Sequence, residues 1–204
     1  KNPSAIKLRS SREAAMHQMA QYVARYWQEN FIVLHNDTYQ ERQHLKILRD
    51  ELIEAFTGNS RIDKIHYEEL NCRDNMDEIC NVLADSMNNI VLVPSEDEPF
   101  VTDVINRLHI QYEYHNIVVF GMPEWKNFTT ANLEYMHELQ VHYFDYIELN
   151  YSDEYVQQFS DRFYQQYGHE PTEVSLEGYE GMRYLLYLLQ AYGADFLPCL
   201  TDAA

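Results

Sequence analysis

Glu124 and Trp125 follow an apolar run, in "NIVVFGMPEW" (116–125), where a turn brings a carboxylate next to an indole. Such a pair can hold an ammonium group, the carboxylate supplying charge and the indole face cation–π attraction. The plainer alternative is a surface glutamate beside a tryptophan that plugs a sheet end. In "HNDTYQE" (35–41) another apolar run delivers Tyr39 into the first turn of a helix. A ring face with a hydroxyl suits a small ligand. Its competitor, a tyrosine packing its own helix start, weighs heavily in a chain with 17 tyrosines. The acidic run "SEDEP" (95–99) reads first as helix-start chemistry, because carboxylates there complement the helix dipole. Ligand contact is the second reading of that run and a cation site the third.

Covalent and cofactor chemistry leave no such trace. The chain has no Gly-x-Gly-x-x-Gly, no phosphate-binding Gly-Lys-Ser/Thr loop and no Gly-x-Ser-x-Gly elbow, and only six glycines. Nine histidines are scattered: His137 and His142 do not simply share a helical face, and His109 and His115 straddle a turn. They read as surface or structural residues rather than metal ligands. Cys72, Cys80 and Cys199 form neither a disulfide framework nor a zinc spacing and read as packed thiols, which leaves the redox compartment open. With no nucleophile–base pair to name, no enzyme, cofactor or metal is expected.

Charge narrows the partners. A formal net charge of -18 over 204 residues repels phosphate backbones and anionic headgroups, so nucleic acid and membrane surfaces are not expected partners. No apolar run approaches the roughly 18 to 20 residues of a membrane span. The sequence starts at Lys1 without a methionine, as a processed or trimmed piece would, so the missing signal peptide says nothing about compartment.

The elements that must position these residues alternate. Helical spacing over 11–27 precedes the strand-like "FIVLHN", and a helix follows with Thr38 three residues before Glu41, a capping-box spacing. Strands are expected at 62–70, 88–95, 115–122 and 141–149, with helices over 74–87, 98–112 and 129–139 between them. The 74–87 helix is expected to turn Ile79, Val82, Leu83 and Met87 to one face. Two more helices, 152–168 and 175–193, each end at a glycine. The pattern predicts an α/β fold: a doubly wound parallel sheet of about five strands with helices on both faces. In such sheets ligands sit at the carboxyl ends of the strands, which brings Tyr39, Ser95 and Glu124 to one edge.

The stretch Phe159-x-x-x-Phe163-x-x-x-Tyr167-Gly168-x-x-Pro171, followed by Gly178-Tyr179-Glu180, resembles the closing segment of type 1 periplasmic binding proteins. These are extracellular ligand-binding receptors whose best-known members bind branched-chain amino acids. The opening helix with "FIVLHNDTYQERQ" resembles the family's helix, strand and Asp-x-x-Tyr-Gly loop, with Gln40 where the family has glycine. The resemblance covers about 10–193. It implies two α/β lobes closing on a ligand by hinge motion, of which this chain holds the second (1–173) and a return helix and tail (174–204) that pack on the missing first lobe. It implies ligand-binding roles for Tyr39, Ser95, Glu96 and Glu124, the last where amino-acid binders carry the acid that meets the ligand's ammonium; Trp125 joins that corner on the cation–π reading above. It also implies a periplasmic or cell-envelope location.

A structural or interaction module of the envelope that kept this fold without a ligand is the competing expectation, favoured by Gln40 and the crowded aromatics. The helix "EGMRYLLYLLQAY" is apolar nearly all round and must be buried on more than one side. It is expected to fold back onto its own lobe or to pair with a second copy through 178–192.

Overall fold

The computed structural model describes residues 11–27, 30–57, 66–145 and 150–197. Within 11–145, five strands form one sheet: β1 (Asn30–His35), β2 (His66–Asn71), β3 (Asn88–Leu92), β4 (Asn116–Gly121) and β5 (His142–Tyr143). Every pairing is parallel and the order is β2-β1-β3-β4-β5. The three inner strands are almost continuously apolar because helices cover both faces. Phe31 to Leu34, Ile90 to Leu92 and Val119 are fully buried. The edge strand β2 alternates, as a strand with one wetter face does. Residues 62–65 and 146–149 of the expected outer strands lie outside the described residues.

Between the strands lie α1 (Arg12–Tyr26), α2 (Tyr39–Thr57), α3 (Ile79–Val82), α4 (Glu98–Gln111) and α5 (Leu133–Glu138). From β1 the chain moves one way to β2, then the other way through β3, β4 and β5. Right-handed crossovers therefore put α2 on one face and α3 to α5 on the other. α1 packs on α2, and α4 packs on both α3 and α5. The expected capping box forms: Thr38 Oγ1 accepts from Glu41 N at 3.2 Å and Glu41 Oε2 accepts from Thr38 N at 2.9 Å.

One expected helix is much shorter than its sequence pattern. Instead of 74–87, a 3-10 turn (Met76–Glu78) leads into a single turn of α3 that stops at Val82, and Leu83 is already extended. Met87 therefore does not share a helical face with Ile79 and Val82. Two buried asparagines at the amino edge of the sheet account for the stop. Asn30 Nδ2 donates to Val82 O at 3.0 Å and to Asn89 Oδ1 at 2.8 Å. Asn89 accepts from Ala84 N at 2.8 Å and donates to Ala84 O and Asn116 O at 3.0 and 3.1 Å. Side chains thus take the backbone groups that another helical turn would have used.

The thiols also divide. Cys72 is buried and fits the packed reading, but Cys80 is exposed, its Sγ directed to Asp77 O at 3.1 Å. Cys199 lies outside the described residues. Burial is the main cause that pushes the Cys72 thiol up to about 11. With Cys199 replaced by serine, iodoacetamide at pH 8 should alkylate Cys80 in the folded protein and spare Cys72 until denaturant is added. Equal labelling of both without denaturant would contradict this burial.

Residues 150–197 form a second compact unit around α6 (Glu154–Tyr167) and α7 (Glu173–Tyr192). Asp153 caps α6 through Tyr155 N at 2.8 Å, which holds its carboxyl below the usual range, and it also meets Arg183 of α7 at 3.3 Å. Phe159 stacks on Tyr179 with ring centroids 4.3 Å apart. Gly168 ends α6 at a positive φ of 76°, where other residues would be strained. α7 buries Leu176 and Leu188 but leaves Met182, Leu186 and Leu189 exposed, 57%, 57% and 44% respectively. The expectation of a helix buried on several sides is thus not met by the chain alone.

Candidate functional site at the carboxyl edge of the sheet

The strand order reverses direction between β1 and β3, whose following loops must diverge to opposite faces. Between those loops lies an open crevice of about 580 Å³ lined by residues 38–41 and 94–97. α1, α2 and α4 all begin at this edge, since helices joining parallel strands run antiparallel to them.

The loop after β3 is fixed from both sides. His44 on α2 donates from Nδ1 to Pro94 O at 3.1 Å, and Trp125 Nε1 donates to Ser95 O at 2.8 Å. The Ser95 hydroxyl accepts from Asp97 N at 3.3 Å, a turn-forming contact. The "SEDEP" carboxylates do less conventional capping than expected. Asp97 occupies the N-cap of α4 without a side-chain cap bond. Glu98, one residue on, accepts from Thr130 N and Thr129 N at 2.7 and 2.6 Å in the loop after β4, and these bonds hold its carboxyl below the usual range. That run ties the loop after β3 to the loop after β4.

Trp125 sits in a 3-10 turn (Pro123–Asn127) and is only 2% exposed. Its ring lies so close to Gly121 that a Cβ there would fall inside contact distance. The indole lies beneath the edge, as the plug of the plainer reading does, and holds Ser95 by its N–H. Tyr39 is 80% exposed at the crevice mouth. Ser95 is buried at its base, and Gln40 lines it without a positive φ.

Glu96 and Glu124 come together through Arg12, a residue the sequence pattern did not single out. Its guanidinium lies 3.0 Å from Glu96 Oε1, an ion-pair contact without hydrogen-bond alignment, and donates to Glu124 Oε1 at 3.2 Å. All three side chains keep some solvent exposure, so each pair contributes at most about 1 kcal/mol. The signal was present in principle. A helix preceding the first parallel strand starts at the carboxyl edge, so the first residue after its N-cap, Ser11, had to lie near these loops. Glu41 was also missed as a site residue, since its capping role explained it. It is 2% exposed, and its Oε2 accepts from both Asn36 N and Thr38 N at 2.9 Å.

The structure thus places Tyr39, Ser95, Glu96 and Glu124 on one edge, with Trp125 below and Arg12 between the acids. Among the described residues no three His, Cys, Asp or Glu side chains converge as a metal site. This arrangement can orient hydrogen bonds and charge, but it presents no nucleophile with an adjacent base.

No protein-family model matches the chain, and no curated protein matches it. A solved structure does: a candidate branched-chain amino acid ABC transporter from Rhodospirillum rubrum, at TM-score 0.62 and 14% identity over 98% of this chain. The chain spans 56% of the length of that neighbour. At this identity the likeness concerns the fold: the five-stranded parallel sheet is that of one lobe of a type 1 periplasmic-binding fold.

Proposed function

We propose that this chain is a non-enzymatic binding lobe of an envelope receptor or transporter substrate-binding protein, taking a small polar, amino-acid-like ligand and closing by hinge motion. One observation carries the reading: a crevice at the switch point, with Tyr39 at its mouth, Ser95 at its base and charged side chains on one rim. The fold neighbour's description as a branched-chain amino acid transporter is in keeping with it. Tyr39 and Ser95 supply hydrogen bonds, Glu96 and Glu124 supply charge, and Trp125 fixes the Ser95 carbonyl from below. A periplasmic or cell-envelope location, and a first lobe of the parent protein opposite this one, belong to the same proposal. No helix among the described residues is long and apolar enough to cross a membrane.

Titration calorimetry of the full-length parent with a panel of amino acids tests this reading, with Glu124→Gln as the variant. The ligand should bind the wild type, and the variant should lose about 1.5–3 kcal/mol of affinity if Glu124 meets the ligand's ammonium directly. Unchanged affinity in the variant removes Glu124 as that partner. Absence of binding across the panel removes the amino-acid reading.

A second reading is favoured by Arg12, which already answers the charge of both rim carboxylates. It is a structural or protein-interaction module of the cell envelope that kept the fold and lost the ligand. The exposed face of α7 suits it, since Met182, Leu186 and Leu189 lie three and four residues apart in a line. Pairing with a second copy through 178–192 would cover that face, as would a first lobe. Light scattering of the isolated chain should find a dimer if copies pair, and Leu186→Glu should then return it to a monomer. A strict wild-type monomer would remove the pairing.

A further inference from the structure

We infer that Arg12 is a tethered occupant of the cation corner formed by Glu96 and Glu124, so that an ammonium-bearing ligand enters this corner by displacing the guanidinium. This inference rests on the ligand-binding reading above. The fold itself creates the need for a cation. Glu96 comes from the loop after β3 and Glu124 from the turn after β4, and one guanidinium reaches both, at 3.0 and 3.2 Å. Two carboxylates brought that close repel each other unless a positive charge stands between them. A ligand's ammonium, with three donors on one compact charge, meets that need as well as Arg12 does.

The helix does not explain Arg12. Ser11 is the N-cap of α1, so Arg12 is the first helical residue, at the positive end of the dipole where a cation is disfavoured. Its placement therefore answers the two loops and not α1. Arg42 and Lys126, near the same edge, serve other acids: Asp37 and Asp145, each at 2.8 Å. The contact is also weak enough to exchange. The Arg12 side chain is 42% exposed and meets Glu96 without hydrogen-bond alignment, and an exposed pair of this kind is worth at most about fivefold in an equilibrium constant. α1 is anchored elsewhere, by buried Ala15, Met16 and Met19 and by the Ser11 cap on Ala14 N at 3.0 Å, so the guanidinium can leave with the helix in place. Glu96 lines the crevice between the β1 and β3 loops, which joins the corner to the proposed ligand site.

The test follows backbone amide shifts of the full chain, wild type and Arg12→Ala, during titration with n-butylammonium chloride, isovalerate, leucine and methylguanidinium chloride at constant ionic strength. Removing a competitor should tighten binding, whereas removing a ligand contact should weaken it. Arg12→Ala should therefore bind butylammonium and leucine at least about threefold more tightly than the wild type, while isovalerate, which has no cation, gains nothing. Methylguanidinium should fill the vacated corner, shifting the Glu96 and Glu124 amides of the variant saturably and at least tenfold more tightly than in the wild type. A smaller gain or a loss for butylammonium and leucine, or a variant that takes no methylguanidinium, overturns the inference and leaves the ligand-binding reading standing. If the variant does not fold, the wild type decides alone: the Arg12 side-chain N–H signal should move as butylammonium saturates, and a signal that stays in place overturns the inference. If butylammonium, isovalerate and leucine all fail to shift the wild type saturably, the ligand-binding reading fails and the inference with it.

Discussion

Trp125→Ala should lower the unfolding free energy by about 3–5 kcal/mol, the range for removing a fully buried large aromatic. The indole is 2% exposed, packs against Gly121 and Phe128, and carries the hydrogen bond to Ser95 O. Its loss opens a cavity at the end of β4 and frees the loop after β3, so stability and the shape of the crevice change together. The reciprocal substitution is informative. Gly121→Ala places a methyl group where the indole now lies, and overpacking of that kind costs about 1–3 kcal/mol. Urea unfolding monitored by circular dichroism measures both. A loss below about 1 kcal/mol for Trp125→Ala would mean that the ring is not the plug described here.

Asn89→Ala should cost about 2–4 kcal/mol, because several buried backbone groups lose their partner at once. Asn89 is fully buried and serves Ala84 N, Ala84 O and Asn116 O, besides accepting from Asn30. Two readouts separate this from ordinary cavity formation. The Ala84 amide should exchange with solvent much faster in the variant, and Asn30→Ala should show strong non-additivity with it, since the two side chains share one hydrogen bond. Additive losses with unchanged exchange at Ala84 would contradict the account of why α3 ends at Val82.

The parts of the fold that rest on periodicity were legible. Apolar runs around Ile32, Ile90 and Val118 announced strands, and the helical spacing before β1 gave α1 within one residue at each end, as the capping-box spacing gave the start of α2. The doubly wound sheet followed from their alternation. What periodicity misread is the 74–87 segment, where an amphipathic pattern continues but Asn30, 52 residues from Val82, and Asn89, just beyond the segment, take the backbone hydrogen bonds. Asn89 reads in sequence only as a strand-start residue, and nothing local betrays that its side chain reaches Ala84. Cys80 and α7 show a related limit: apolar or sulfur-bearing residues on a helical pattern do not say which face finds a neighbour.

The site was legible as an edge and not as a set of contacts. Strand-then-loop placement brought Tyr39, Ser95, Glu96 and Glu124 to the same end of the sheet, because every strand is parallel. The charge pairing was not readable, since Arg12 and Glu124 are 112 residues apart and meet only through the packing of α1 on the sheet face. Glu41 was hidden by its own capping box, since accepting from the Asn36 and Thr38 amides already explained its side chain. The bond from the Trp125 N–H to Ser95 O was not readable either, since the two residues are 30 apart in sequence.

The central claim is that this lobe binds its ligand at the carboxyl edge of the sheet, and hydrogen-exchange mass spectrometry of the full chain with and without saturating leucine tests it most directly. The account predicts that protection rises in the loops at 36–41, 94–98 and 122–125 and is unchanged at the opposite edge, around 84–89 and 114–116. Protection confined to that opposite edge, or to α6 and α7, would contradict it, as would identical exchange everywhere with and without the amino acid.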